Sequence, residues 1–119
     1  MANKRVLIVE DERPLAHALE LKLQHEGFEA VVASNGQQCL ELLDKEHFDV
    51  LLLDMMMPVM DGFQVLRQLE TRPVKPVVFV LSNLSQREDE SRVLGAGAKK
   101  YFIKSNTPLS VIIEEIKKA

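Results

Sequence analysis

The chain has 119 residues, 46% hydrophobic and 28% charged, with a net charge of −3 from 15 basic and 18 acidic side chains. That size and mix suit one globular domain over residues 1–119, burying roughly two thirds of its unfolded surface, and exclude a disordered or disulfide-dependent chain. The mild acidity argues against direct nucleic-acid binding, and no apolar run approaches the ~18 residues of a membrane span.

Short apolar runs alternate with stretches of helical period, five times over. VLIV at 6–9 is a strand apolar on both faces, and too apolar to be a sheet edge. The opening MANKRVLIVEDE lacks the ~7–15-residue apolar core of a secretory signal. A helix over 14–26 follows, with Leu15, Leu19 and Leu23 on one face, Pro14 in its first turn and Gly27 at its exit. Residues 30–33 form a weaker second strand. A second helix spans about 36–45 and carries Cys39, Leu40 and Leu43; the lone Cys39 reads as an inert small hydrophobe in a reducing, cytoplasmic setting.

VLLL at 50–53 is the third strand. Asp61 caps a helix over about 62–71 that Arg72-Pro73 stops. Residues 76–81 form strand four. Ser85 to Glu88 matches a capping box for a fourth helix ending at Gly95 or Gly97. Residues 100–103 form strand five. Thr107 caps and Pro108 opens a last helix with Leu109, Ile112, Ile113 and Ile116 in register. Strands apolar on both faces and separated by helices imply an α/β fold, a parallel sheet covered on both sides.

In such a sheet the strand C-terminal ends share one rim, where ligands bind. Glu10 and Asp11 follow strand one, Asp54 strand three, Ser82 strand four and Lys104 strand five. Singly, these are ordinary helix-start acids, a turn serine and a surface lysine. Together they pose an electrostatic problem, because two carboxylates ~4 Å apart repel by about 4 kcal/mol at an effective dielectric near 20. Lys104 balances one, and the remainder calls for a divalent cation of the kind that prefers oxygen ligands, Mg²⁺ or alternatively Mn²⁺. A carboxylate beside such an ion, a hydroxyl and an ammonium suits phosphoryl transfer with Asp54 as nucleophile, Lys104 neutralising charge and Ser82 donating a hydrogen bond. No His, Cys or second nucleophile is placed to process the product, so the site is read as holding a phosphoryl group and the chain as not an enzyme. His17, His25 and His47 share no ligand spacing and are read as surface residues.

At this point the chain resembles the receiver domain of bacterial two-component response regulators, single-domain and chemotaxis-regulator-like, over residues 4–119. The motifs are the acid pair in LIVEDE, the block D-M-M-M-P-V-M-D-G at 54–62, the serine after strand four, and Y-F-I-K at 101–104. The resemblance implies a flavodoxin-like (βα)5 fold with strand order 2-1-3-4-5. It further implies that Asp54 accepts the phosphoryl group and that Asp11, Asp54 and the Met56 carbonyl ligate Mg²⁺, with Glu10 helping directly or through water. Ser82 and Lys104 would contact phosphoryl oxygens, and Tyr101 would be the switch aromatic that responds to Ser82. Met57 and Met60 are read as core filler, and Pro58 and Gly62 as shaping the loop. The implied partners are a sensor histidine kinase or a histidine phosphotransfer protein, plus a downstream protein met through the face of helix four, strand five and helix five, where a homodimer is also possible.

Three positions depart from the family pattern. Ser105 follows Lys104 where a cis-bonded proline is usual, Glu10 stands where Asp is commoner, and Asn83 replaces a small residue. The rival readings are a phosphorylation-independent receiver-like interaction module, an aspartyl phosphatase and a flavin or nucleotide binder. The module predicts missing site residues. The phosphatase would want an acid at position 56, which is Met56, and the nucleotide binder would want a glycine-rich loop after strand one.

Overall fold

The computed structural model describes residues 4–57, 59–83 and 87–119, with backbone only at 87–89. Five strands and five helices alternate: β1 (Arg5–Val9), α1 (Arg13–His25), β2 (Glu29–Ala33), α2 (Gly36–Lys45), β3 (Val50–Asp54), α3 (Gly62–Leu69), β4 (Val77–Ser82), α4 (Arg87–Gly95), β5 (Lys100–Ile103) and α5 (Leu109–Lys118). The strands form one parallel sheet in the order β2-β1-β3-β4-β5. β1 is flanked by β2 and β3, as its two apolar faces require.

Period-2 alternation divides each strand between two cores. Leu7, Val9, Leu51, Leu53, Val78 and Val80 pack on one side with Cys39 of α2, Val65 and Leu66 of α3, and Val93 of α4. Val6, Ile8, Val50, Leu52, Phe79 and Leu81 pack on the other with Leu19 and Leu23 of α1 and Ile112, Ile113 and Ile116 of α5. Every residue of β3 is buried. A strand covered on both faces is rigid, and its C-terminal residue inherits a fixed position.

Local chemistry sets most element ends. The Asp61 carboxylate accepts from the Gln64 amide while the Gln64 side chain accepts from the Asp61 amide, a reciprocal cap at the start of α3. Gly27 leaves α1 with φ 92°, a conformation suited to glycine. α1, β2 and β4 each sit within one residue of the expected bounds, and two further ends differ for a local reason. α3 stops at Leu69 rather than near Thr71, because the Thr71 hydroxyl and amide both turn back to the Gln68 carbonyl. α5 begins at Leu109, with Pro108 rather than Thr107 in the capping position; Pro108 is extended (ψ 147°), and its carbonyl accepts the first helical hydrogen bonds. The expected Ser85 cap and the role given to Pro58 lie outside the described residues.

Val59, in the loop from β3 to α3, has φ 71° and is 76% exposed. A β-branched residue there carries on the order of 1–2 kcal/mol of strain and gains little packing in return. Relief of that strain less roughly 0.4–1 kcal/mol for the freer unfolded chain leaves Val59→Gly expected to raise stability by about 0.5 kcal/mol, read as a higher urea midpoint with an unchanged slope; a lower midpoint would contradict the strain.

Candidate functional site

The strand ends deliver the rim as the parallel sheet requires. The Glu10 amide donates to the Ala33 carbonyl (3.0 Å), extending the β1 ladder one residue past the strand, and Asp54 is the last residue of β3. Ser82 ends β4 and is fully buried; its carbonyl accepts from the Lys104 amide at 2.8 Å, placing the lysine directly after β5. Glu10 and Asp54 are each only 3% exposed, whereas Asp11 faces solvent.

Three carboxylates, those of Glu10, Asp11 and Asp54, place an oxygen each within 4.8 Å of one another. The Lys104 ammonium lies among them, 2.7 Å from Glu10 Oε1 and 3.3 Å from Asp54 Oδ2. The Met56 amide donates to Asp54 Oδ1 at 3.2 Å, which orients the carboxylate, while the Met56 side chain is 60% exposed. Tyr101, in β5 opposite Val80, is half-buried against the α2–α3–α4 core. Met57 is buried and Met60 packs against the same core, as filler.

The electrostatics carry the strain of this assembly. Burial pushes the Glu10 carboxyl up to about 7, against the opposing hydrogen bonds from Lys104 and the Glu12 amide. Burial likewise raises Asp54, although the Lys104 charge and the Met56 amide pull it back. Burial alone would lower Lys104, but its bonds to Glu10 and Glu12 and the charge of Asp54 hold it above its ordinary value. Glu10 Oε1 is buried and meets the Lys104 ammonium at 2.7 Å, an ammonium it shares with Asp54 and Glu12. Three carboxylate oxygens within 4.8 Å of one another, two of the three acids buried and only one ammonium to serve them, fit a hard divalent cation.

One contact at the rim was not foreseen. Glu12, the residue before α1, places Oε2 3.0 Å from Lys104 Nζ, and its amide donates to Glu10 Oε2 at 3.1 Å. The run of acids at 10–12 was the available signal. The Lys104–Ser105 bond is trans, since no cis peptide occurs among the described residues, so serine here removes the usual cis linkage without strain. His17, His25 and His47 are exposed, as expected, and Cys39 is buried, with burial pushing its thiol up to about 12.

An open parallel sheet of this order defines a flavodoxin-like α/β protein, with an acidic cluster around a buried carboxylate at its strand ends. Comparison with known proteins agrees. Residues 6–117 match the response regulator receiver domain family. The chain is 37% identical over 100 residues to the cell cycle response regulator CtrA of Brucella ovis, covering 84% of this chain and 43% of that protein. It thus spans less than half the length of that relative. The receiver domain of Francisella response regulator 1452 superposes with a TM-score of 0.92 at 28% identity, covering 98% of this chain and 95% of that one. The Thermotoga maritima response regulator TrrA, solved in complex with Mg²⁺-BeF, superposes at 0.84 and 28% identity, with 97% of each chain covered. The chain belongs to the response regulator receiver domain family, the phosphorylation-accepting class of two-component signalling. No helix among the described residues is long and apolar enough to cross a membrane.

Proposed function

We propose that Asp54 is the phosphoacceptor, taking a phosphoryl group from a phosphohistidine on a sensor kinase or a histidine phosphotransfer protein. The observation that carries this reading is the buried Asp54 carboxylate, 3.3 Å from the Lys104 ammonium and within the three-acid cluster. The Glu10, Asp11 and Asp54 carboxylates and the Met56 carbonyl would hold Mg²⁺, or Mn²⁺ in its place. That ion, when bound, supplies positive charge to offset the oxygens of the transferred group.

The chain's own residues do the rest. The Met56 amide fixes one Asp54 oxygen and leaves the other facing Lys104. The phosphorus–nitrogen bond to the donor histidine breaks as an Asp54 oxygen bonds to phosphorus, and the imidazole departs with the electron pair. Lys104 then turns its ammonium to the phosphoryl oxygens, and the Ser82 hydroxyl donates to one of them. With Ser82 drawn toward the phosphate, the half-buried Tyr101 ring turns further inward and alters the α4–β5–α5 surface. A preference of a few kcal/mol for one of two arrangements is enough to shift the population that a downstream protein, or a second copy of the chain, would bind. The domain holds the group rather than turning over a substrate, and the inert buried Cys39 accords with a cytoplasmic setting.

Acetyl phosphate with Mg²⁺ is expected to add one acid-stable, base-labile phosphoryl group, seen by intact-mass measurement and absent from Asp54→Ala. Equal labelling of the two proteins would place the acceptor elsewhere, and no labelling of either would favour the phosphorylation-independent module.

A further inference from the structure

Glu12 stands at the mouth of the site. Its side chain is 58% exposed, yet it grips a Lys104 that is only 10% exposed, across 92 positions of sequence. It occupies the capping position of α1 without making a side-chain cap, so this carboxylate is not what holds the helix start. Its amide is tied to the buried Glu10 carboxylate, which fixes the residue against the rim. An acid at a helix start ordinarily turns toward the free amides of the first turn; here it turns to the lysine that the incoming phosphoryl group requires.

The charge balance shows what this does. A divalent cation and the Lys104 ammonium would balance Glu10, Asp11 and Asp54, and Glu12 then leaves the site one negative charge in surplus at its solvent side. A phosphoryl donor arrives as an anion and meets that charge first. To serve the phosphoryl oxygens, Lys104 must also loosen its contact with Glu12. Both effects act in the same direction.

Resting on the phosphoacceptor reading of Asp54, we propose that Glu12 is a positioning residue that restrains Lys104 and screens Asp54 from anionic donors, and so limits how fast this domain is loaded. The reaction it slows is the one described: for acetyl phosphate, an Asp54 oxygen bonds to phosphorus as the bond from phosphorus to the acetyl oxygen breaks, and acetate leaves.

The test compares the wild-type chain, Glu12→Gln and Glu12→Asp, each shown folded by circular dichroism, with Mg²⁺ and two donors. Acetyl phosphate is a dianion at neutral pH and phosphoramidate carries a single net negative charge; loading is followed by intact mass at low and high KCl. With acetyl phosphate at low salt, Glu12→Gln is expected to load roughly three- to tenfold faster than wild type. The gain should be smaller with phosphoramidate and should shrink in high salt, and Glu12→Asp, which keeps the charge, should return the rate toward wild type. A merely structural role for Glu12 would not grade with donor charge. Unchanged or slower loading of Glu12→Gln, or a gain indifferent to donor charge and salt, overturns the inference alone. A wild-type chain that loads from neither donor overturns the phosphoacceptor reading along with it.

Discussion

With divalent ions chelated, the chain is expected to lose stability as pH rises from about 4.5 through about 7, the reverse of an ordinary acid-sensitive protein. Burial raises the Glu10 carboxyl from 4.5 to about 7. A group raised in the folded state favours folding most below its unfolded value, and its contribution is lost as pH climbs through the folded value. For a residue only 3% exposed, the loss is on the order of 3 kcal/mol. Asp54 is raised in the same direction and adds to it.

Millimolar Mg²⁺ should cancel much of that loss, because a ligand that binds only the folded state stabilises it, and the ionised acids are the binding form. The measurement is thermal unfolding by circular dichroism at pH 5 and pH 8, with chelator or Mg²⁺. Glu10→Gln should flatten the pH slope, and Asp54→Asn should stabilise the metal-free protein at pH 8 by about 1–2 kcal/mol through lost repulsion and desolvation. A wild-type profile that neither slopes downward nor answers to Mg²⁺ would remove the electrostatic basis of the site.

Gly62→Ala is expected to cost at least about 3 kcal/mol, a large part of a small domain's stability. A Cβ at Gly62 would run into Met55 Sδ and sit 2.7 Å from the Met55 Cα and 2.9 Å from the Asp54 carbonyl oxygen. The sulfur can swing aside, but the two backbone atoms belong to the segment that carries the phosphoacceptor. Relief requires moving α3 away from the end of β3 and breaking the bond from the Gly62 amide to the Met55 carbonyl (3.1 Å). Urea unfolding gives the loss directly. The fraction that still folds should also label poorly, since Asp54 moves with its carbonyl; a Gly62→Ala protein as stable and as readily phosphorylated as wild type would contradict the close approach.

Much of this protein is legible from the order of its residues because the relevant physics is local or periodic. Both-face apolar runs of four residues separated by helical stretches can only be buried as strands of a covered parallel sheet, and that arrangement sends Glu10, Asp54, Ser82 and Lys104 to one rim whatever the details. Asp61 before an apolar period announces a helix start by its own carboxylate. The boundaries at Thr71 and Thr107 were less legible. A threonine hydroxyl serves a helix start or an end equally well, and a proline fits either the capping position or the first turn.

The tertiary structure alone decided how the charges are shared. That Lys104 divides its ammonium among Glu10, Glu12 and Asp54, and that Glu10 lies buried beside it, depend on distances across chain separations of up to 92 residues. Coulomb and desolvation energies follow separation and burial in space, and neither is encoded in the spacing of letters along the chain.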